Sequence, residues 1–169
     1  MSAFMLRFDQ LDKRITIWMA RNGILILRIS VGIVFLWFGA LKFFPSINQA
    51  DEIAARTITA LTGGLLKPNI SVPLLTIWEC LIGLGLLSGL FLRATIFLLF
   101  LQMAGTFMPL FLFPGETWII FPIAPTLEGQ YIIKNVVLIS AAMVIGATVR
   151  GGRLTAKPVS EVVATGENV

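Results

Sequence analysis

Apolar residues in this chain gather into four long runs separated by short polar breaks. Each run is long enough for a membrane-crossing helix, which needs about 20 mostly apolar residues at 1.5 Å per residue. The runs cover about 22–42, 71–92, 94–113 and 129–149. Arg28 interrupts the first, Glu79 the second and Lys134 the fourth, while the third carries no charge. Upstream, Phe4, Phe8, Leu11, Ile15 and Trp18 recur at steps of four and three, with Arg7, Arg14 and Arg21 on another side. That pattern predicts an amphipathic helix over 1–21 lying on lipid headgroups and feeding the first span. The apolar/polar alternation of a lipid-facing β-barrel is missing. The predicted fold is all-α: an integral membrane four-helix bundle forming one domain, with an N-terminal interfacial amphipathic helix and a polar tail over 150–169.

Composition narrows the class. Of the 169 residues, 57% are hydrophobic and 13% charged, with a mean hydropathy of +0.90. Soluble domains run at roughly 45–50% apolar and about 25% charged, so neither a water-soluble core nor disorder fits. The first apolar run is also too long for a cleaved leader. Histidine is absent and Cys80 is the single cysteine. Haem, iron–sulfur and zinc sites draw mainly on those residue types, so no metal site and no catalytic residue is assigned.

The net charge of +4 reflects position rather than nucleic-acid binding. Arg7, Lys13, Arg14, Arg21, Arg93, Arg150, Arg153 and Lys157 all fall on one side of the four spans. The positive-inside rule then places both termini in the cytoplasm, with 43–70 and 114–128 outside. The stretch Asn48–Leu61 fits a short outer helix. Pro114–Gln130 fits an apolar, proline-broken loop that dips into the interface or caps the bundle.

An ionisable group in hydrocarbon costs roughly 2.5–3.5 kcal/mol on insertion scales, so each one needs a reason. Counting residues from the run boundaries puts Glu79 ~12 Å and Lys134 ~8 Å below the outer face. On that count Lys134 comes within stem reach of Glu79, and Arg28 lies about 9 Å from the height of Glu79, near the limit of its reach. Glu79 then either binds a ligand or proton, or forms a structural ion pair. Asn135, beside Lys134, offers both a donor and an acceptor. Arg28 alternatively snorkels to phosphates, and Lys42 alternatively anchors the end of its span. Gln102 and Thr106, four apart, either line the bundle interior or satisfy local backbone. Cys80 points away from Glu79. Gly32 and Gly39 permit close helix approach, as do Gly83, Gly85 and Gly89.

The run Leu27-Arg28-Ile29-Ser30-x-Gly32-x-x-Phe35-x-Trp37-x-Gly39-x-x-Lys42-Phe43-x-Pro45 resembles the first span of the DoxX-like membrane proteins. Within them it is most similar to the YkgB/RclC group, associated with resistance to reactive chlorine. Glu79-Cys80-Leu81-Ile82-Gly83, Thr106–Pro109 and Glu128–Val137 resemble the motifs of the later spans. The resemblance implies a four-helix bacterial inner-membrane protein in which Arg28, Lys42, Glu79 and Lys134 act together. Its wider family includes subunits of thiosulfate:quinone oxidoreductase.

Three functions compete. The first is a component of oxidative and reactive-chlorine stress defence that binds a quinone or similar amphiphile at the polar cluster, at most as the membrane subunit of a quinone-linked oxidoreductase. The second is a small-solute or proton transporter. The third is a scaffold for a membrane redox complex. The bilayer is the expected environment. A membrane or periplasmic redox partner and a homo-oligomer are further expectations, and nucleic acid is not.

Overall fold

The computed structural model describes residues 3–44 and 51–154. Pro45 of the first-span motif and the tail beyond residue 154 lie outside the described residues. Helices cover α1 (Ala3–Leu41), α2 (Asp51–Leu61), α3 (Pro68–Ser88), α4 (Leu92–Phe107), α5 (Pro109–Leu112) and α6 (Pro114–Thr117). Strands β1 (Trp118–Ile120) and β2 (Ala124–Pro125) follow, then helices α7 (Leu127–Lys134) and α8 (Val136–Ala147). Among the described residues, four segments are long and apolar enough to cross a membrane: Arg7–Leu41, Pro68–Ser88, Leu92–Leu112 and Leu127–Ala147. The chain is thus an all-α, multi-pass membrane bundle.

The interfacial helix expected ahead of the first span is not a separate element. α1 runs unbroken for 39 residues, or ~58 Å at helical rise, well beyond a hydrocarbon core of ~30 Å. No proline or glycine interrupts it before Gly23, so nothing in the backbone ends the helix where the amphipathic pattern gives way to the apolar one. The third span does break, at Met108, because Pro109 lacks the amide that would continue the ladder. The fourth changes between Lys134 and Asn135, where α7 ends and α8 begins.

The spans form a ring in which α1 packs on α3, α3 on α4, α4 on α8 and α8 back on α1. Its centre is filled by Val31, Phe35, Ile82, Leu86, Leu99, Met103, Ala141 and Ala142. Large apolar side chains such as Trp37, Phe38, Leu81, Phe97 and Val137 point outward, as lipid-facing positions must. α1 and α3 run antiparallel and very close. A Cβ on Gly83 would fall 2.6 Å from the Leu36 amide nitrogen, and one on Gly39 would fall 3.0 Å from the Glu79 Cβ. Small residues let the two backbones touch, and dispersion and hydrogen bonding rather than hydrophobicity drive association in lipid.

The α4–α7 connection carries a short two-stranded ladder. Trp118 and Ile120 pair antiparallel with Pro125 and Ala124, and the Phe121–Pro122 peptide is cis. The Trp118 indole N–H donates to the Leu110 carbonyl at 3.1 Å, fixing the hairpin to α5. Ile119, Ile120, Phe121 and Ile123 at its tip are all exposed. The loop is apolar and proline-broken as expected, and it also carries this short ladder. The signal was a β-branched and aromatic run bounded by Gly115 and Pro122.

Candidate functional site

Along α1 and into the turn that follows it, Arg28, Gly32, Phe35, Gly39 and Lys42 recur at steps of four and three and so share one face. Gly32 and Gly39 of this stripe meet α3 directly. On α3, Thr76, Glu79, Gly83 and Leu86 form the answering stripe, and Thr76, Glu79, Gly83 and Leu86 are all buried. Gly39 sits over the Glu79–Cys80 peptide, with the Cys80 Sγ on its other flank. Cys80 therefore lies at the same seam as Glu79 instead of turning away from it. Lys42, one turn beyond Gly39, lies level with the carboxylate.

The resulting contacts are short. Lys42 Nζ donates to Glu79 Oε1 at 2.7 Å, and the two side chains are only 12% and 11% exposed. From the other neighbouring helix, Gln102 Nε2 donates to the same oxygen at 2.7 Å. Glu79 lies 11 residues into α3, or ~16 Å from its start, so the triad is held deep in the bundle. Gln102 Oε1 is buried and has no hydrogen-bond partner among the described residues. Thr106, one turn on, instead returns its hydroxyl to the Gln102 carbonyl at 3.0 Å, so of the two only Gln102 reaches the centre. Trp78 steadies the α3–α4 contact by donating to the Leu98 carbonyl at 3.3 Å.

Arg28 and Lys134 are elsewhere, which corrects the pairings taken from residue counting. The Arg28 guanidinium lies against Gly89, the left-handed C-cap of α3 at φ 74°. Gly89 is 10 residues, or ~15 Å, along α3 from Glu79. Arg28 shares the face of Lys42 but not its height. Its place beside the last carbonyls of α3 suits a cation, since a helix C-terminus carries partial negative charge. Lys134 belongs to the α7–α8 span, diagonal to α3 across the ring. It is exposed, with its ammonium 5.3 Å from the centroid of Tyr131. Asn135 caps α7, donating its amide to the Ile132 carbonyl at 3.0 Å, at the α7–α8 junction.

Sequence reasoning missed the latch at the end of the bundle nearest Lys42. Arg56 on α2 donates two parallel hydrogen bonds to Glu116 on α6, at 2.9 and 2.7 Å, and stacks 4.5 Å from the Phe113 centroid. The bond to Glu116 raises the Arg56 pKa above its ordinary value. Ala55 and Thr57 flank Arg56 and are buried, turning α2 inward. No local pattern marks a partner 60 residues away.

Chemically, the site offers an ammonium, a carboxylate and a carboxamide converging in apolar surroundings, able to bind a polar head that both accepts and donates hydrogen bonds. Comparison with known proteins adds one relation. The sequence model of the DoxX family matches residues 23–113, a stretch holding Lys42, Glu79 and Gln102. No curated protein and no solved structure matches the chain.

Proposed function

We propose, because this chain belongs to the DoxX family, that it is a multi-pass membrane component of a stress-linked redox system whose Lys42–Glu79–Gln102 triad holds the head of a quinone-like amphiphile. The observation that carries this reading is the Gln102 amide. Its nitrogen is committed to Glu79, while its oxygen is buried without a hydrogen-bond partner among the described residues. Leaving a buried acceptor unmade costs about 1–3 kcal/mol. A hydroxyl on the reduced form of such a ligand would satisfy it, and the Lys42 ammonium is a donor suited to a carbonyl at the same height. The chain's own part is binding and orientation, because its sequence brings one cysteine and no histidine as redox ligands. Electrons would pass to a membrane or periplasmic partner.

The likeness of Leu27–Pro45 to the YkgB/RclC group supports assigning this role to oxidative and reactive-chlorine defence. The eight basic residues on one side support the bacterial inner membrane with both termini cytoplasmic. The test is solvent extraction of purified wild-type protein and of Gln102→Leu and Glu79→Gln variants, with quinone measured per chain. The wild type is expected to carry quinone, and Gln102→Leu to lose about ten-fold, the worth of one buried hydrogen bond. Extracts without quinone from all three proteins, or unchanged occupancy in Gln102→Leu, would overturn the reading.

A further inference from the structure

At the other end of the bundle, two clefts adjoin between the start of α4 and the end of α8. One, of about 450 Å³, is bounded by Gly89, Phe91, Leu92, Arg93, Ala94 and Val149. The second, of about 300 Å³, shares Arg93 and Val149 with it and adds Ile96, Gly146 and Arg150. Together they form one groove with an apolar floor and two exposed guanidinium groups. Arg28 contributes a third cation, since it lies against Gly89 on the groove wall.

Among the described residues, the groove has no anion of its own. Among the described residues, Arg28, Arg93 and Arg150 make no ion pair; those formed are Lys13–Asp9, Lys42–Glu79 and Arg56–Glu116. The nearest acids along α1, Asp9 and Asp12, precede Arg28 by 16 residues or more, at least ~24 Å of helix. Glu52, Glu116 and Glu128 lie at the opposite end of the spans. Phe91, 85% exposed at φ 51°, holds the first turn of α4 beside the groove with no side-chain cap. Its opening amides add donors to those of the arginines.

We propose that this groove binds the phosphate of an anionic phospholipid, with Arg93 and Arg150 as its principal ligands and the walls of Phe91, Leu92, Ile96 and Val149 taking the first part of an acyl chain. Location selects a lipid. The groove opens where membrane-spanning helices end, the depth of lipid phosphates, and basic pockets between such helices recognise acidic headgroups. Arginine suits the task because its planar fork engages two phosphate oxygens at once.

The experiment uses the full-length protein in detergent, titrated with phosphatidylglycerol, cardiolipin or phosphatidylcholine, and separately with inorganic phosphate. Bound lipid is counted by native mass spectrometry. The anionic lipids are expected to bind the wild type more tightly than phosphatidylcholine. The Arg93→Gln/Arg150→Gln pair should weaken them about thirty-fold, the loss expected for two basic residues at an acidic surface, leaving phosphatidylcholine unchanged. Arg93→Lys/Arg150→Lys should bind in between, and far-UV circular dichroism checks that each variant is folded. Equal binding of anionic and zwitterionic lipid, unchanged affinity in the folded glutamine variant, or displacement of the lipid by inorganic phosphate would overturn the proposal.

Discussion

Replacing Lys42 by Met, Glu79 by Leu, and both together measures how the site is held. At 2.7 Å and an effective dielectric of ~20, two unit charges attract by about 6 kcal/mol before desolvation. Desolvation removes several kcal/mol per ion, so the intact pair contributes little net stability. Breaking it is different. Either single change takes from a buried charge the counter-charge it holds at 2.7 Å, at a cost of about 3–5 kcal/mol. Glu79→Leu also strips Gln102 Nε2 of its acceptor, adding about 1–3 kcal/mol. The double variant removes both charges together, so the cost of breaking this pair disappears and the penalty on Gln102 remains. Its loss should therefore be about 1–3 kcal/mol, far below the sum of the singles. Unfolding by dodecyl sulfate in mixed micelles reads this directly, with Trp78 beside Glu79 as a fluorescent reporter. Additivity to within about 0.5 kcal/mol would refute the reasoning, because contacting charges must couple. Quinone retention should not recover in the double variant, which separates holding the fold from holding a ligand.

Four further outcomes are expected. Gly83→Ala drives a Cβ into the Leu36 backbone and should cost about 1–3 kcal/mol of overpacking in the same unfolding assay, whereas a wild-type midpoint would deny the close contact. Gly105→Ala, where an added Cβ meets nothing within 4 Å, should instead stabilise α4 by about 0.5–1 kcal/mol through backbone entropy. Arg56→Lys should speed amide exchange across α2 nearly as much as Arg56→Gln, since a point charge cannot replace the two parallel bonds to Glu116; wild-type protection in the lysine variant would count against the latch. Trp118→Phe keeps an aromatic side chain but removes the indole N–H bond to Leu110, and should cost about 1 kcal/mol with faster exchange in the hairpin.

Much of the architecture was legible because hydrocarbon imposes a simple rule: a spanning segment must satisfy its own backbone, so a run of about 20 apolar residues reads as a helix. Pro109 announced the break in the third span by the amide it lacks. Glu79 stood out because an acid in such a run demands a partner. The elements that escaped depend on contacts distant in sequence. The Arg56–Glu116 fork joins residues 60 apart. The β1–β2 ladder is five residues of strand stabilised by a tether to α5, too short for periodicity to register.

The pairing of Glu79 with Lys42 instead of Lys134 or Arg28 has one geometric cause. Counting depth from the edge of each apolar run assumes that all runs begin in common planes, and α1 and α3 do not. Their relative height is set where Gly83 admits the Leu36 backbone. In an antiparallel pair, four residues back along α3 from Gly83 matches four forward along α1 from Leu36, which sets Glu79 opposite residue 40, between Gly39 and Lys42. Six residues the other way bring Gly89 opposite residue 30, within a stem's reach of Arg28, where the guanidinium is found. One contact between a glycine and a backbone thus assigns both cations: Lys42 to the buried acid, and Arg28 to the helix end ~15 Å away. Lys134, on the span that does not adjoin α3, had no register in which to compete. The Gly39-x-x-Lys42 spacing carried this information all along, since a lysine one turn beyond a helix-contact glycine must face the same neighbour.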